Sequence, residues 1–157
     1  MRAQRDFAER IEIMVNATKL TQMQQKGLND RLIDAAKNGD IGKVKESITN
    51  GANVDVRDEK GKTALHWAAQ GENVDVVKIL IENGADVDAK NMYGETALHY
   101  AASWGNVDVA KILIENGANV DAKENDKGTA LHWAALNGYV DVAKVLIEKG
   151  GGWGCEG

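Results

Sequence analysis

Three copies of one phrase, Thr63-Ala-Leu-His-Trp-Ala-Ala69, Thr96-Ala-Leu-His-Tyr-Ala-Ala102 and Thr129-Ala-Leu-His-Trp-Ala-Ala135, begin 33 residues apart. A fixed period of this length marks a solenoid, whose units cannot bury their apolar faces alone and must lean on their neighbours. Alignment at that period gives four units, 30–62, 63–95, 96–128 and 129–150, with residues 1–29 before them and a glycine-rich 151–157 after. A surface shared by several units, rather than a reaction centre, is then where function is to be sought.

Each unit reads as two helices. The first begins at Thr63, Thr96 or Thr129, whose hydroxyl can accept from free backbone N–H groups, and Leu65, Ala68 and Ala69 give its buried stripe. The second carries Val74, Val77, Leu80 and Ile81 on one face, repeated as Val107, Ala110, Leu113 and Ile114 and as Val140, Ala143, Leu146 and Ile147, and this stripe is predicted to face the next unit. It stops at Gly51, Gly84, Gly117 and Gly150, where a left-handed residue is wanted.

The period, the phrase T-A-L-H-W/Y-A-A and the later run V-D-V-A-K-I-L-I-E-N-G-A-N-V-D-A-K closely resemble the ankyrin repeat family over about four-fifths of the chain. The resemblance implies an all-α solenoid of helix-turn-helix units with projecting β-turn fingers, whose fingers and first helices line a concave binding face. It also implies that His66, His99 and His132 tie adjacent loops together by hydrogen bonds. Some residues depart from the family pattern. Alanine replaces the usual proline after the threonine at Ala64, Ala97 and Ala130, and the chain has no proline at all. Lys127 stands where Gly61 and Gly94 stand, so an altered finger is expected there, and Glu72 takes the place of Gly39, Gly105 and Gly138, where positive φ would carry strain.

The two ends differ. Asp34, Glu46 and Ser47 replace Trp67, Ile79 and Leu80, the polar substitution expected of a capping unit. The last unit keeps Val145, Leu146 and Ile147, so the stack is expected to end uncapped: as a fragment of a larger protein, as an end covered by a partner or a second copy, or as an exposed end. Upstream, Phe7, Ile11, Met14, Val15, Leu20 and Met23 predict an amphipathic helix over about residues 3 to 25, closed by Gly27 and packed on the first repeat, fraying, or touching another protein. Mixed charge makes membrane binding the weakest of these readings.

Composition narrows the function classes. A net charge of −5, with the basic excess confined to residues 1–28, argues against nucleic acid, which is met by clustered Lys and Arg. The single cysteine, Cys155, forms no intrachain disulfide and points to the cytoplasm or nucleus. No run is long and apolar enough to span a membrane, and acidic residues near the N-terminus argue against a targeting peptide. The three histidines fall about 10 Å apart if helices stack at ordinary spacing, too far for one ion. Gly61-Lys62-Thr63 mimics the end of a phosphate loop, but Val56 stands where its leading glycine would be. No cofactor, metal or catalytic residue is expected.

Trp67, Tyr100 and Trp133 share one repeat position and read as packing between units. The aromatics that break the period are more informative: Trp104 stands where Gly71 and Asn137 stand, and Met92 and Tyr93 where Glu59 and Lys60 do. Large residues at otherwise polar positions suggest selected contacts, since interface anchors are commonly Trp, Tyr, Met and Arg. With the family's geometry, Met92, Tyr93, Glu95, Ser103 and Trp104 fall on the concave face, with Leu136 and Tyr139 nearby. The expected function is a non-catalytic protein-interaction module or scaffold. The alternative is a self-assembling protein that oligomerises through its C-terminal repeat.

Overall fold

A computed structural model describes residues 2–150. The described residues form eight helices and no strand: α1 (Arg2–Asn38), α2 (Ile41–Thr49), α3 (Ala64–Gln70), α4 (Val74–Glu82), α5 (Ala97–Trp104), α6 (Val107–Glu115), α7 (Ala130–Leu136) and α8 (Val140–Glu148). Odd-numbered helices stack on one another as an inner layer, even-numbered helices form an outer layer, and each inner helix packs on the outer helix that follows it. The all-α ankyrin-type solenoid implied by the resemblance is therefore the fold.

Capping explains why helices start where they do. The hydroxyls of Thr63, Thr96 and Thr129 each accept the backbone N–H three residues on, and the histidine at that third position returns the bond through its ring to the threonine N–H. Each threonine sits in extended backbone, so the chain turns abruptly from finger into helix. The core is a set of aligned columns, Leu32, Leu65, Leu98 and Leu131 in one and Leu80, Leu113 and Leu146 in another, with small alanines between inner helices allowing close approach.

The outer-helix stripe differs from expectation. Val77, Leu80, Ala110, Leu113 and Leu146 are buried, but so are Val76, Val109 and Val142, one position beyond the predicted stripe, while Val74, Ile81, Val107 and Ile114 are only half-buried. The outer helices pack on their own inner helices as well as on one another, so a face wider than one stripe is covered.

Two local expectations are settled. Glu72 does adopt positive φ, at 58°, as does Lys127 at 67°. Lys127 does not alter its finger, however: Glu124 N–H donates to the Gly128 carbonyl at 3.0 Å, as Asn91 does to Glu95 and Asp58 to Lys62 at 3.0 and 2.9 Å. The backbone keeps its shape because a lysine there, though strained, has room. A Cβ on Gly61 would lie 3.1 Å from the Met92 nitrogen and one on Gly94 3.1 Å from the Asn125 nitrogen, both in the next finger, whereas no further finger follows Lys127 among the described residues.

The N-terminus corrects the reading of Gly27. It does not end a helix; α1 runs unbroken to Asn38, and Gly27 is not among the glycines of positive φ. A mid-helix glycine costs about 1 kcal/mol, less than is gained by continuing the helix into the buried Leu32, Ala35 and Ala36. The last turns of α1 are thus the inner helix of the first unit. Its earlier part is not buried on the first repeat: every residue from 3 to 27 is exposed, although Gln25 Nε2 donates to the Gly51 carbonyl at 2.9 Å.

At the first unit Asp34 and Glu46 are exposed, as a polar cap requires, but Ser47 is buried at the place of Leu80. At the other end the apolar surface continues. Ala135 is exposed where Ala69 and Ala102 are fully buried, and Val140 and Ile147 are exposed too. The glycine-rich segment 151–157 lies outside the described residues.

Candidate partner-binding face

The fingers are built as a ladder. Asp58 and Asn91 each fold a finger over their side chains, accepting from backbone N–H groups two and four residues on. Consecutive fingers then join through their backbones, Met92 N–H to the Lys60 carbonyl and Asn125 N–H to the Tyr93 carbonyl, both at 2.9 Å. Arg57 donates to the Lys90 carbonyl, and Lys90 Nζ donates to the Lys123 carbonyl at 3.2 Å, one period further along.

Histidines fasten this ladder to the helices. His66 Nδ1 accepts the Thr63 N–H at 3.0 Å, which leaves the ring proton on Nε2, and Nε2 donates to the Glu95 carbonyl at 2.9 Å. His99 repeats the arrangement with Thr96 and the Gly128 carbonyl, at 3.1 and 3.0 Å. Each imidazole bridges 29 residues of chain and secures the following finger. Burial lowers the pKa of both rings, against the opposing pull of the carbonyl each one meets. The rings face finger carbonyls, as the resemblance implies, and among the described residues no group of three metal-ligating side chains converges.

On the opposite side of the inner helices the turns are stitched as well. Asn73 Nδ2 donates to the Ala36 carbonyl at 3.3 Å and Asn106 Nδ2 to that of Ala69 at 2.6 Å. Tyr139 breaks this series, and its ring lies against Gly105, where an added Cβ would approach it to 2.7 Å.

Between fingers and turns lies a face lined by the inner helices, the one the resemblance implies to be concave. Trp67, Tyr100 and Trp133 are half-buried against the core, consistent with packing between units. Trp67 and Tyr100 also hold an element the sequence reading missed. Lys62, only 6% exposed, places its ammonium 3.4 Å from the Trp67 ring centre and 4.4 Å from that of Tyr100, and donates to Gln70 Oε1 at 3.0 Å. Burial lowers its pKa, while the nearby carboxylates of Asp58 and Glu95 work the other way. Burial acts to raise the Asp58 carboxyl, but the N–H groups of Lys62, Trp67 and Lys60 aimed at it hold it below its usual value. The available signal was positional: Lys62 aligns with Glu95 and Gly128, so one repeat site carries a cation, an anion and no side chain.

The seven candidate contact residues do not form one cluster. Met92 and Tyr93 are exposed on a finger, before α5 begins. Trp104, 56% exposed, is the last residue of α5, which at 1.5 Å per residue lies about 12 Å along the face. There it joins half-buried Ser103 and the exposed Leu136 and Tyr139 on the side of the turns. Glu95 is turned to the scaffold: its carboxylate accepts from Tyr100 OH at 2.7 Å and from Asn91 Nδ2 at 2.8 Å. Burial, with this carboxylate beside it, raises the Tyr100 pKa, so the phenol stays protonated.

Comparison with known proteins agrees with this geometry. Residues 32–124 match the model for ankyrin repeats in three copies, and residues 126–153 match that for a further ankyrin repeat. A Rickettsia felis protein described as an ankyrin repeat protein is 40% identical over 50 residues, covering 32% of this chain and 79% of that relative. Stacked hairpins, histidine-fastened fingers and these matches together place the chain in the ankyrin repeat family.

Proposed function

We propose that residues 30–150 form a non-catalytic protein-interaction module that recognises a protein partner through its concave face and fingers. The observation that carries this reading is the pairing of a pre-ordered ladder with large exposed residues at positions where other repeats are polar: Met92 and Tyr93 on the finger, Trp104 and Leu136 on the inner helices. A face already held by hydrogen bonds from one repeat to the next loses little freedom on binding, so a few anchors can supply most of the affinity. Met92/Tyr93 and Trp104/Leu136 then act as two anchor points about 12 Å apart, with Tyr100 between them. The acidic balance of residues 29–157 favours a partner with basic patches, chiefly through encounter rate. No described helix is long and apolar enough to cross a membrane. We place the protein in the reducing cytoplasm or nucleus, on the strength of its lone cysteine.

The test is a partner captured on the immobilised chain, identified, and titrated against wild type and a Tyr93→Ala/Trp104→Ala variant. Loss of two anchors is expected to weaken binding at least tenfold. An affinity within twofold, with circular dichroism unchanged, would remove the assignment.

A second reading, self-association through the C-terminal repeat, draws on the exposure of Val140 and Ile147. Continuation of the stack in register is disfavoured by Lys127, whose Cβ occupies the space that Gly61 and Gly94 leave for a following finger. Leu146 belongs to the core, so Val140→Glu and Ile147→Glu are the variants that probe this end.

A further inference from the structure

We infer that the inner-helix face between Tyr100 and Trp133 is a slot for the ammonium group of a partner lysine. The inference rests on the proposed role of this face in binding a partner, and it names the chemistry that one part of the face takes.

The slot is recognised from its filled counterpart one period earlier. Lys37 Nζ stands 4.5 Å from the centre of the Trp67 ring, and Lys62 Nζ lies 3.4 Å from that centre and 4.4 Å from the centre of Tyr100. Ring faces attract the ammonium of Lys62, Gln70 Oε1 accepts from it at 3.0 Å, and the carboxylates of Asp58 and Glu95 draw it electrostatically. The next gap has the same frame. The bonds that set one unit on the next recur, Met92 N–H to the Lys60 carbonyl and Asn125 N–H to that of Tyr93, both at 2.9 Å, so Trp133 stands to Tyr100 as Tyr100 stands to Trp67. The frame repeats and the cation does not. Glu95 takes the place of Lys62, Ser103 that of Gln70, and Gly128 that of Glu95. Among the described residues no cation lies over Trp133.

An anion at the root of a slot between two rings selects a cation to fill it. Glu95 accepts from Tyr100 OH and Asn91 Nδ2 through Oε2 alone, so Oε1 can take a further donor. Ser103 offers a hydroxyl oxygen where Gln70 offers its amide oxygen to Lys62. An ammonium has three N–H donors, enough for both acceptors while its charge meets the ring faces. Tyr100, Trp133, Glu95 and Ser103 are each half-buried, so a side chain can enter from the groove. The second ring is also held differently. Trp67 Nε1–H donates to Asp58 Oδ2 at 3.0 Å, whereas the buried Trp133 Nε1–H has no acceptor. Glu124, one methylene longer than Asp58, turns its carboxylate to the N–H groups of Asp126 and Gly128 at 2.9 and 2.6 Å instead. No hydrogen bond from its indole fixes Trp133, and the ring is free to adjust to an entering cation. In the first gap a partner lysine would meet Lys62; here it meets Glu95.

The probe is end-blocked trilysine, titrated into the full chain labelled with nitrogen-15, and the readout is the indole N–H resonances. That of Trp133 is expected to move saturably at millimolar peptide, while that of Trp67, whose ring already holds Lys62, stays in place. Trilysine acetylated at every Nζ is expected to move neither. Glu95→Gln keeps an acceptor for the Tyr100 hydroxyl and is expected to weaken the response about three- to fivefold. Glu95→Lys fills the slot from its own chain and is expected to abolish the response, whereas Glu115→Lys, the same charge change on α6, is expected to leave it as in wild type. Thermal melts establish that each variant is folded, and Glu95→Gln carries the test should Glu95→Lys not fold. No movement at Trp133, equal movement at Trp67, a response shared by the acetylated peptide, or an unchanged response in Glu95→Gln would each overturn the inference. It fails separately from the proposed function. A captured partner weakened by Tyr93→Ala/Trp104→Ala but indifferent to Glu95→Gln and Trp133→Leu would overturn the slot and leave the two anchor points standing.

Discussion

Replacing His99 by alanine tests whether the hairpins and fingers are joined as described, because one side chain there ties the start of its own helix to the finger that follows the hairpin. The ring accepts the Thr96 N–H at 3.1 Å and donates to the Gly128 carbonyl at 3.0 Å, and both His99 and Thr96 are at least 98% buried. His99→Ala leaves that N–H and that carbonyl without their partner, at about 1–3 kcal/mol for each group, so a loss of about 3 kcal/mol is expected in urea unfolding at pH 7. A proton-linked signature separates this from simple truncation. The folded pKa of His66 and of His99 lies below the ordinary value of 6.5, so the unfolded chain takes up protons first as pH falls. Stability from these rings is fully present above pH 6.5 and is lost as pH drops toward their folded pKa, at up to about 1.4 kcal/mol per pH unit for each ring. Unfolding series between pH 7 and 5 are therefore expected to show a slope that His99→Ala cuts by about half. A loss under 1 kcal/mol, or a slope the substitution leaves unchanged, would refute the reasoning.

Other substitutions test the end of the stack and its turns. Lys127→Gly is expected to raise stability by about 0.5–1 kcal/mol, because glycine removes the cost of a left-handed lysine, and thermal melting reads this directly. Gly94→Ala is expected to cost more than 2 kcal/mol, since its φ of +76° and a Cβ 3.1 Å from the Asn125 nitrogen compound each other. Asn106→Ala removes the amide that holds the Ala69 carbonyl and is expected to cost about 1–2 kcal/mol by the same melt.

Most of the fold was legible because identical residues recur at identical positions. The threonine caps and the left-handed backbone at Glu72 both follow from alignment at the period. Gly27 was misread because glycine is a local stop signal only when the chain gains by turning, and here the tertiary core rewards continuing the helix. Lys127 was over-read, since its consequence depended on whether a following finger occupies the space beside it. The arm of α1 could be recognised as amphipathic, but its projection from the stack could not, because that follows from where Leu32 and Ala36 lodge. Met92, Tyr93 and Trp104 stand out in the sequence through their break with the repeat pattern, and all three are exposed. Their separation into two groups depends on helix length, and the seating of Lys62 between Trp67 and Tyr100 joins residues of three units, which no repeat shows alone.

The most direct measurement on the central claim is nuclear Overhauser contact from the Nε2 protons of His66 and His99 in isotopically labelled protein at neutral pH. Both rings are expected as the neutral Nε2–H tautomer, with contacts from His66 to Glu95 and from His99 to Gly128, each in the finger that follows its hairpin. Contacts confined to each histidine's own hairpin, or rings unprotonated at Nε2, would contradict a stack in which these histidines fasten each hairpin to the finger that follows it.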